Sequence, residues 1–163
     1  MIKAVFIVNN NPSLALLDSR LRAQRIYDES VVAETLKNFD NKNMQPHEVF
    51  FNLVNSQQQS NQDEHSQSLC NFVESEILPP ECRIVYRSYA SLTFIFCVDE
   101  MESSLGMIDV IHVLVKILDA IFSDVSEVNL IFNPHRLNYI LDEIIVDGII
   151  CEINIAEVVK TIQ

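Results

Sequence analysis

Carboxylate pairs are the residues of this sequence best suited to acid–base chemistry. Asp99 and Glu100, with Glu102 close behind, form one group, and Asp142 and Glu143 form another. Hydrolysis of a glycosidic bond needs two carboxylates that face one cleft and have separated pKa values. Neighbouring acids at the ends of helices and strands are more often hydrated surface groups. We interpret both groups as hydrated acids without a catalytic role.

A histidine provides the second candidate for acid–base chemistry. His112 follows Asp109 by three residues, and on a helix this spacing would place a base beside a carboxylate that could orient it. The pattern places no serine or cysteine nucleophile beside the pair, so a hydrated pair on a helix surface is the simpler interpretation. A small hydrolase that uses an unrecognised acid pair remains the alternative from another functional class.

The sequence lacks the spacings of common cofactor and metal motifs. Its four cysteines are Cys70, Cys82, Cys97 and Cys151. They show no CxxC spacing and no histidine at ligand spacing, so we predict reduced thiols in a cytosolic protein. Gly106 and Gly148 are the only glycines, which leaves no dinucleotide-binding turn and no phosphate-binding loop. We therefore expect no catalytic residue set, no cofactor and no metal.

The charge balance limits the partners of the chain. There are 11 Lys and Arg residues against 23 Asp and Glu residues, which gives a formal net charge of -12. A surface with this charge repels phosphate backbones and anionic lipid head groups. We therefore expect no nucleic-acid partner and only indirect contact with a membrane.

The elements that must position these side chains begin with a buried strand. Residues 2–8 form an apolar, β-rich run that ends in an Asn-Asn-Asn-Pro turn. Residues 14–27 predict a second strand that runs into an irregular segment. The apolar spacing predicts helices over 29–39 and 48–54, with Pro46 in the first turn of the second.

A polar segment follows the second of these helices. Residues 55–68 contain no apolar side chain, so they offer nothing to offset the entropy lost on ordering. We predict a mobile polar insertion at 55–68 within a single domain that spans 1–163.

The later part of the chain predicts a strand pair and a long helix. Residues 83–98 predict two strands joined at Ala90 and Ser91, and the second strand is apolar on both faces. Residues 103–122 predict a helix whose apolar side chains span an arc of roughly 200°, about twice what one sheet can cover. We therefore expect this helix to have two apolar neighbours.

Two further helical segments complete the chain. One begins at Glu127, is interrupted at Asn133 and Pro134, and is predicted to stop at Gly148. The other covers residues 155–162. Strands followed by a run of helices are typical of an α+β fold with an antiparallel sheet.

The strand pair carries a sequence that resembles a known family. Residues 86–99 read YRSYASLTFIFCVD. This is similar to the YR-x-YA-x-L-x-F…CVD signature of the small (sigma) subunits of heterotetrameric adaptor protein complexes. The segments LGMIDVI at 105–111 and SEVNLIF at 126–132 resemble blocks of the type-3 complex. The resemblance covers 1–11 and 69–162.

The resemblance implies a fold and a role. The family fold is longin-like, a five-stranded antiparallel sheet with helices on both faces. Its members are non-enzymatic subunits of vesicle coats, on the cytosolic face of Golgi and endosomal membranes. In the type-3 complex the sigma subunit pairs with a delta-like large subunit, beside a beta-type large subunit and a medium (mu) subunit.

The same resemblance implies a ligand and a transport route. Sigma subunits help to recognise acidic dileucine signals, [DE]xxxL[LI], on cargo tails, for transport from Golgi or endosome to lysosome or vacuole. A free-standing longin domain of another trafficking or tethering protein is the alternative within this fold.

The resemblance also places a leucine-binding pocket on this sequence. It assigns the pocket to Ala90, Leu92, Val115, Asp124, Val125, Val128 and Leu130. Ala90 is small where a ligand could approach, and Val115 lies at the edge of the apolar arc, where a side chain can be half exposed. Ser13 stands where the family has a basic residue, and Asp124 where it has asparagine. Either the large subunit supplies the missing positive charge, or the recognised signal is less acidic.

Overall fold

The computed structural model describes residues 1–10, 21–39, 43–60, 71–122, 130 and 133–162. In the first half of the chain the elements are β1 (Ile2–Asn9), β2 (Leu21–Ile26), α1 (Glu29–Asn38), α2 (Pro46–Ser60) and β3 (Phe72–Val73). The second half contains β4 (Cys82–Tyr89), β5 (Leu92–Asp99), α3 (Ser104–Phe122), α4 (Pro134–Ile144), β6 (Ile145–Val146), β7 (Ile149–Ile150) and α5 (Ile155–Ile162).

Five strands form an antiparallel sheet in the order β2-β1-β5-β4-β3. The most apolar strands, β1 and β5, lie in the middle, where they are covered on both faces. The register pairs Val5 with Phe96 and, beside the turn between β4 and β5, Tyr89 with Leu92.

Alternate side chains of the central strands supply two separate cores. Val5 and Phe94 pack on one face with α3, α4 and α5, and Phe6 and Ile95 pack on the other with α1 and α2. The predicted α+β, longin-like fold, a five-stranded antiparallel sheet with helices on both faces, is confirmed.

Helix α3 has the two apolar neighbours that its wide apolar arc predicts. One side of the helix packs on the sheet, and another packs on α4 and α5. Its buried side chains are Met107, Val110, Ile111, Leu114, Val115, Ile117 and Leu118.

The prediction of a mobile segment over 55–68 does not hold for residues 55–60, which continue α2. Within this extension the Ser56 hydroxyl donates to the Asn52 carbonyl at 2.8 Å. The first turns of α2 are buried, and each residue added to a nucleated helix gains a hydrogen bond at little entropic cost. Glutamine also has a good helix propensity. Residues 61–68 lie outside the described residues.

The predicted helix stop at Gly148 is also wrong. Helix α4 ends at Ile144, and Asp147 and Gly148 form the turn between β6 and β7. Their φ angles are 50° and 78°, as a type I′ hairpin turn requires. β-branched residues on both sides of an Asp-Gly pair favour this hairpin over a longer helix. The predicted segments 14–20 and 127–129 lie outside the described residues.

Asp28 caps the start of α1 and supports a first prediction. Its Oδ1 accepts from the Ser30 amide at 3.2 Å, and its Oδ2 lies 3.2 Å from Lys3 Nζ. Asp28→Ala should lower the free energy of unfolding by about 1 kcal/mol at pH 7. Asp28→Asn should lower the free energy of unfolding by less, because asparagine can still cap the helix.

The same cap predicts that the stability of the fold depends on pH. Hydrogen bonding to Ser30 and then the pairing with Lys3 lower the pKa of Asp28 from 3.8. A carboxyl with a lowered pKa stabilises the fold above its unfolded pKa, and this contribution is lost as pH falls through the folded pKa. The free energies of unfolding of wild type and Asp28→Ala, measured in urea, should therefore differ more at pH 7 than at about pH 3. An equal difference at both pH values would contradict this explanation.

Candidate binding site

The turn between β4 and β5 carries the first two predicted pocket residues. Ala90 occupies the first turn position with a φ of 51° and is exposed. The Asn10 amide donates to the Ser91 carbonyl at 2.8 Å, which ties the turn to the end of β1. Leu92 begins β5 opposite Tyr89 and is fully buried. The turn therefore presents Ala90 to solvent two residues before the buried Leu92.

The backbone of Ala90 predicts a stabilising substitution. A positive φ costs an L-residue about 1–2 kcal/mol that glycine does not incur. Allowing for the greater freedom of glycine in the unfolded chain, Ala90→Gly should raise the free energy of unfolding by about 0.5 kcal/mol. Ser91→Gly is the matched control, and it should lower stability because Ser91 has a negative φ. Thermal unfolding measures both, and a loss of stability in Ala90→Gly would contradict the prediction.

Three of the predicted pocket residues belong to one apolar core. Leu92, Val115 and Leu130 all belong to the core on the α3 side of the sheet. Val115 is only 7% exposed and Leu130 is 0% exposed, so the expectation of a half-exposed Val115 is wrong. The physical reason is that α4 and α5 cover α3 on the side away from the sheet.

Asp124, Val125 and Val128, together with the departure at Ser13, lie outside the described residues. The structure therefore places Leu92, Val115 and Leu130 in one core and Ala90 on the turn that precedes Leu92.

A column of polar and aromatic side chains lines the α3 side of the same turn. The Tyr89 hydroxyl lies 3.2 Å from His112 Nδ1, and the two rings are stacked with centroids 6.4 Å apart. The Arg87 guanidinium carbon lies 5.4 Å from the Tyr89 ring centroid, within range of a cation–π interaction. His112 thus contacts Tyr89, whereas the sequence suggested Asp109 as its partner.

The sequence analysis did not assign Arg87 and Tyr89 to the site, although their spacing along the chain indicates that they share one face of a strand. Both lie on β4 two residues apart, so they project from the same face of the strand. That face is the one covered by α3, because Tyr89 packs against its core. The spacing of these two residues within the YRSYA motif places a positive charge beside the turn.

Cavities occur at the opposite end of the sheet from this turn. One of about 850 Å³ is lined by residues that include Glu74, Pro79 and Arg83. Another of about 420 Å³ is lined by residues that include Lys3 and Asp99. Neither is lined by a predicted pocket residue. Because Leu92, Val115 and Leu130 are also buried, a leucine side chain could enter their cluster only after side chains move.

The carboxylate groups singled out in the sequence form ion pairs that hold elements together. The Met1 amine lies 3.0 Å from Asp99 Oδ2 and 2.5 Å from Glu102 Oε1. Arg25 contacts both carboxylate oxygens of Asp142, at 2.6 and 2.8 Å. These contacts connect the start of β1 to the end of β5, and β2 to α4. Asp99, Glu102 and Asp142 therefore each have a cation as partner.

Two thiols lie near each other in the α1 side of the core. Cys97 is buried, and Cys82, on the neighbouring strand, is partly buried. A hydrogen bond with Cys97 lowers the pKa of the Cys82 thiol. The same contact, followed by burial, raises the pKa of Cys97.

The described ranges contain no group of three or more His, Cys, Asp or Glu side chains that could hold a metal ion. No helix in these ranges is both long and apolar enough to cross a bilayer.

Comparison with known proteins identifies relatives over the whole chain. The family model described as clathrin adaptor complex small chain matches residues 1–163. AP-3 complex subunit sigma-2 of Homo sapiens is 33% identical over 165 residues, which cover 100% of this chain and 74% of the human protein. AP-3 complex subunit sigma of Dictyostelium discoideum is 35% identical over 158 residues, or 94% of this chain and 79% of that relative.

Structural comparison agrees with the sequence comparison. A chain in a homology model of the full-length AP-3 complex, in a stretched open conformation, superposes with a TM-score of 0.54 and 25% identity. The superposition covers 99% of this chain and 91% of that chain. The similarity to type-3 sigma subunits inferred from the YRSYA and CVD motifs is therefore confirmed, and this chain belongs to the clathrin adaptor complex small chain family.

Proposed function

We propose that this chain is a non-enzymatic sigma subunit of a type-3 adaptor complex and helps to bind acidic dileucine signals on cargo tails. It pairs directly with a delta-like large subunit, in an assembly with a beta-type large subunit and a medium (mu) subunit. The observation that carries the signal-binding proposal is that Leu92, Val115 and Leu130 belong to one apolar core, and that Leu92 follows directly on the turn of the family motif.

The energetics of this cluster suit a transient interaction. Two leucine side chains contribute about 1.5–3 kcal/mol each when fully buried. Part of this gain offsets the rearrangement that opens the cluster and the ordering of the cargo tail. The remainder is smaller than the roughly 8 kcal/mol of a micromolar complex, so other contacts of the signal must add to the two leucines, and the interaction is weak enough for the signal to be released after transport.

Arg87 is the residue that we propose for the acidic position of the signal. It replaces the positive charge that the family resemblance places at Ser13. Its guanidinium lies over the Tyr89 ring beside the turn, and Arg87 is only partly buried, so a carboxylate could reach it. A guanidinium can bind both oxygens of one carboxylate, which favours arginine in this role.

A double-mutant cycle tests the role of Arg87. The assembled complex carrying Arg87 or Arg87→Gln is titrated with labelled peptides whose signal contains Glu or Gln at the acidic position. We expect Arg87→Gln to lower the affinity for the Glu peptide by about 5- to 10-fold and to leave the affinity for the Gln peptide nearly unchanged. Lys37→Gln, on α1 across the sheet, is the matched control. Equal losses for both peptides would remove Arg87 from the proposed site.

The proposed location is the cytosolic face of Golgi and endosomal membranes and their coated vesicles. We place the chain on the route from Golgi or endosome to lysosome or vacuole, and the membrane is reached only through the complex. The support is the family membership together with a formal charge of -12, which opposes direct binding to anionic lipids. A free-standing longin domain of another trafficking protein is the alternative.

Affinity purification distinguishes these two functions. The tagged full-length chain is recovered from its native cells, and its partners are identified by mass spectrometry. A type-3 sigma subunit should recover two large chains and one medium chain of an adaptor complex in equal amounts. Recovery of the chain with none of them would support the free-standing alternative. Purified chain should show no turnover with ester, glycoside and phosphate substrates.

A further inference from the structure

Two cysteines lie in contact on neighbouring strands, at the end of the sheet that carries the cavities. Cys82 is the first residue of β4, and Cys97 lies near the end of β5. The register places Cys97 opposite Ile84, two residues along β4 from Cys82, so the two cysteines are diagonal partners. Cys97 belongs to the core on the α1 side of the sheet, Cys82 packs against that core, and a hydrogen bond joins the two thiols. They therefore form a pair of thiols on one face of the sheet.

The two thiols differ in their access to small molecules. Cys97 is fully buried, whereas Cys82 is only partly buried. Cys82 lines both the cavity of about 850 Å³ and the cavity of about 420 Å³. Each cavity is many times larger than a water molecule, which occupies about 30 Å³ in the liquid. A small molecule in either cavity could therefore reach the Cys82 sulfur, while Cys97 stays shielded behind it.

The surroundings of Cys82 favour its thiolate form. Hydrogen bonding with Cys97 is the main cause that lowers the pKa of Cys82; burial opposes it, and the charge of Lys3, which lines the smaller cavity, supports it. The thiolate is the nucleophilic form of cysteine. Contact with Cys82 and then burial raise the pKa of Cys97, which stays protonated. Cys82 is therefore the thiol that attacks, and Cys97 is the hydrogen-bond donor beside it.

The lining of the cavities indicates which oxidants can approach Cys82. Glu81 and Glu100 line both cavities, and Glu74 and Glu76 line the larger one. Arg83, the cation of the larger cavity, donates to backbone carbonyls. Carboxylates repel an anionic oxidant such as glutathione disulfide, but they do not repel a small neutral peroxide. Hydrogen peroxide is therefore the oxidant that fits the size and the charge of this site.

We propose that Cys82 and Cys97 form a peroxide-sensitive modification site, at which hydrogen peroxide converts the two thiols into a disulfide. The Cys82 thiolate attacks one peroxide oxygen and the O–O bond breaks, which gives a sulfenic acid and a hydroxide that takes a proton from solvent. The Cys97 thiol then attacks the sulfenic sulfur, the S–S bond forms, and the S–O bond breaks with release of water. Two thiols are oxidised and one peroxide is reduced to two waters. This proposal does not depend on the function proposed above.

The position of the pair favours the second step and makes the product reversible. Contact with the Cys82 thiolate is the main cause that raises the pKa of Cys97, and this cause disappears once Cys82 is a neutral sulfenic acid. Diagonal partners on antiparallel strands have Cα atoms about 7–8 Å apart, whereas a disulfide needs less than about 7 Å. The first residue of β4 must therefore move towards β5. A disulfide formed under such strain is readily reduced, so the modification should be reversible.

Peptide mapping by mass spectrometry tests the proposal. The full-length wild-type chain, recovered with its partners, is treated with hydrogen peroxide, and the remaining thiols are alkylated before digestion. We expect a peptide pair linked through Cys82 and Cys97 that dithiothreitol separates. Cys82 should be oxidised at least about 10-fold faster than Cys151, although Cys151 is the more exposed thiol. Glutathione disulfide should show no such preference for Cys82.

Two variants separate the two chemical steps. Cys97→Ala removes the second thiol, so oxidation of Cys82 should stop at the sulfenic acid and be labelled by dimedone. Cys82→Ala should leave Cys97 reduced, because Cys97 is buried. The proposal is overturned if wild-type Cys82 is oxidised no faster than Cys151, or if it is oxidised without a link to Cys97. Both of these measurements use the wild-type chain, so they decide the question even if a variant fails to fold.

Discussion

Gly148→Ala is expected to lower the free energy of unfolding by about 3 kcal/mol. Gly148 has a φ of 78°, a conformation that disfavours a side chain. An added Cβ would also lie 2.3 Å from the Ile2 carbonyl oxygen, which is part of the backbone and cannot move without distorting β1. The Gly148 carbonyl also accepts the hydrogen bond from the Ile2 amide that docks the hairpin on β1. Moving Gly148 would therefore weaken that contact as well.

The other glycine of the chain provides a matched control. A Cβ added to Gly106 would be 3.5 Å from the Ser103 Cβ, an ordinary contact, and the residue lies in the first turn of α3. Gly106→Ala should therefore raise stability by up to about 1 kcal/mol. Urea unfolding of both variants gives the comparison. If Gly148→Ala were as stable as Gly106→Ala, the described turn would be wrong.

Val115→Asp is expected to lower the free energy of unfolding by about 3–4 kcal/mol. The side chain is 7% exposed within an apolar cluster, so a carboxylate there would lose its hydration and gain no cation. If Val115 were half exposed, the carboxylate of Val115→Asp could stay hydrated, and the variant would still assemble into the complex. Loss of peptide binding in this variant alone would therefore not locate the pocket.

The next residue along α3 provides the control for this substitution. Lys116 is exposed, so Lys116→Asp changes only helix propensity and surface charge and should cost less than about 1 kcal/mol. Circular dichroism in urea compares the two variants at the same pH. Similar midpoints for Val115→Asp and Lys116→Asp would show that Val115 is accessible to water.

Periodicity was sufficient to predict the elements that form the cores. The two-faced apolar pattern of Leu92–Asp99 predicted a strand covered on both sides, and the wide apolar arc of Ser104–Phe122 predicted a helix with two neighbours. These predictions succeed because the burial of apolar side chains dominates the energetics of such elements. The number of strands in the sheet, in contrast, came from the family resemblance, and the order of the strands was not predicted.

Local patterns were misleading where another contact decides the structure. At Gly148 a helix stop and a hairpin turn both require a positive φ, and only the pairing of Val146 with Ile149 distinguishes them. In residues 55–60 the polar composition suggested a loop, but the buried turns that precede them nucleate the helix. The composition of a short segment of sequence reveals neither of these contacts.

The contacts around the candidate site depend on more than one element. The family resemblance assigned Leu92, Val115 and Leu130 to a pocket, and the structure places all three in the core on the α3 side of the sheet. The exposure of Val115 depends on α4 and α5, which pack from later in the chain. The contact of Arg87 with Tyr89, and of Tyr89 with His112, joins a strand face to a helix face and cannot be inferred from either element alone.

The most direct test of the proposed function is a fluorescence-anisotropy titration of the assembled wild-type complex. Two labelled peptides are compared, one containing an acidic dileucine signal and one in which both leucines are alanine. If the cluster of Leu92, Val115 and Leu130 binds the leucines, the alanine peptide should bind at least about 100-fold more weakly, because about 3 kcal/mol of apolar burial is lost. Equal affinity of the two peptides would contradict signal binding by this subunit.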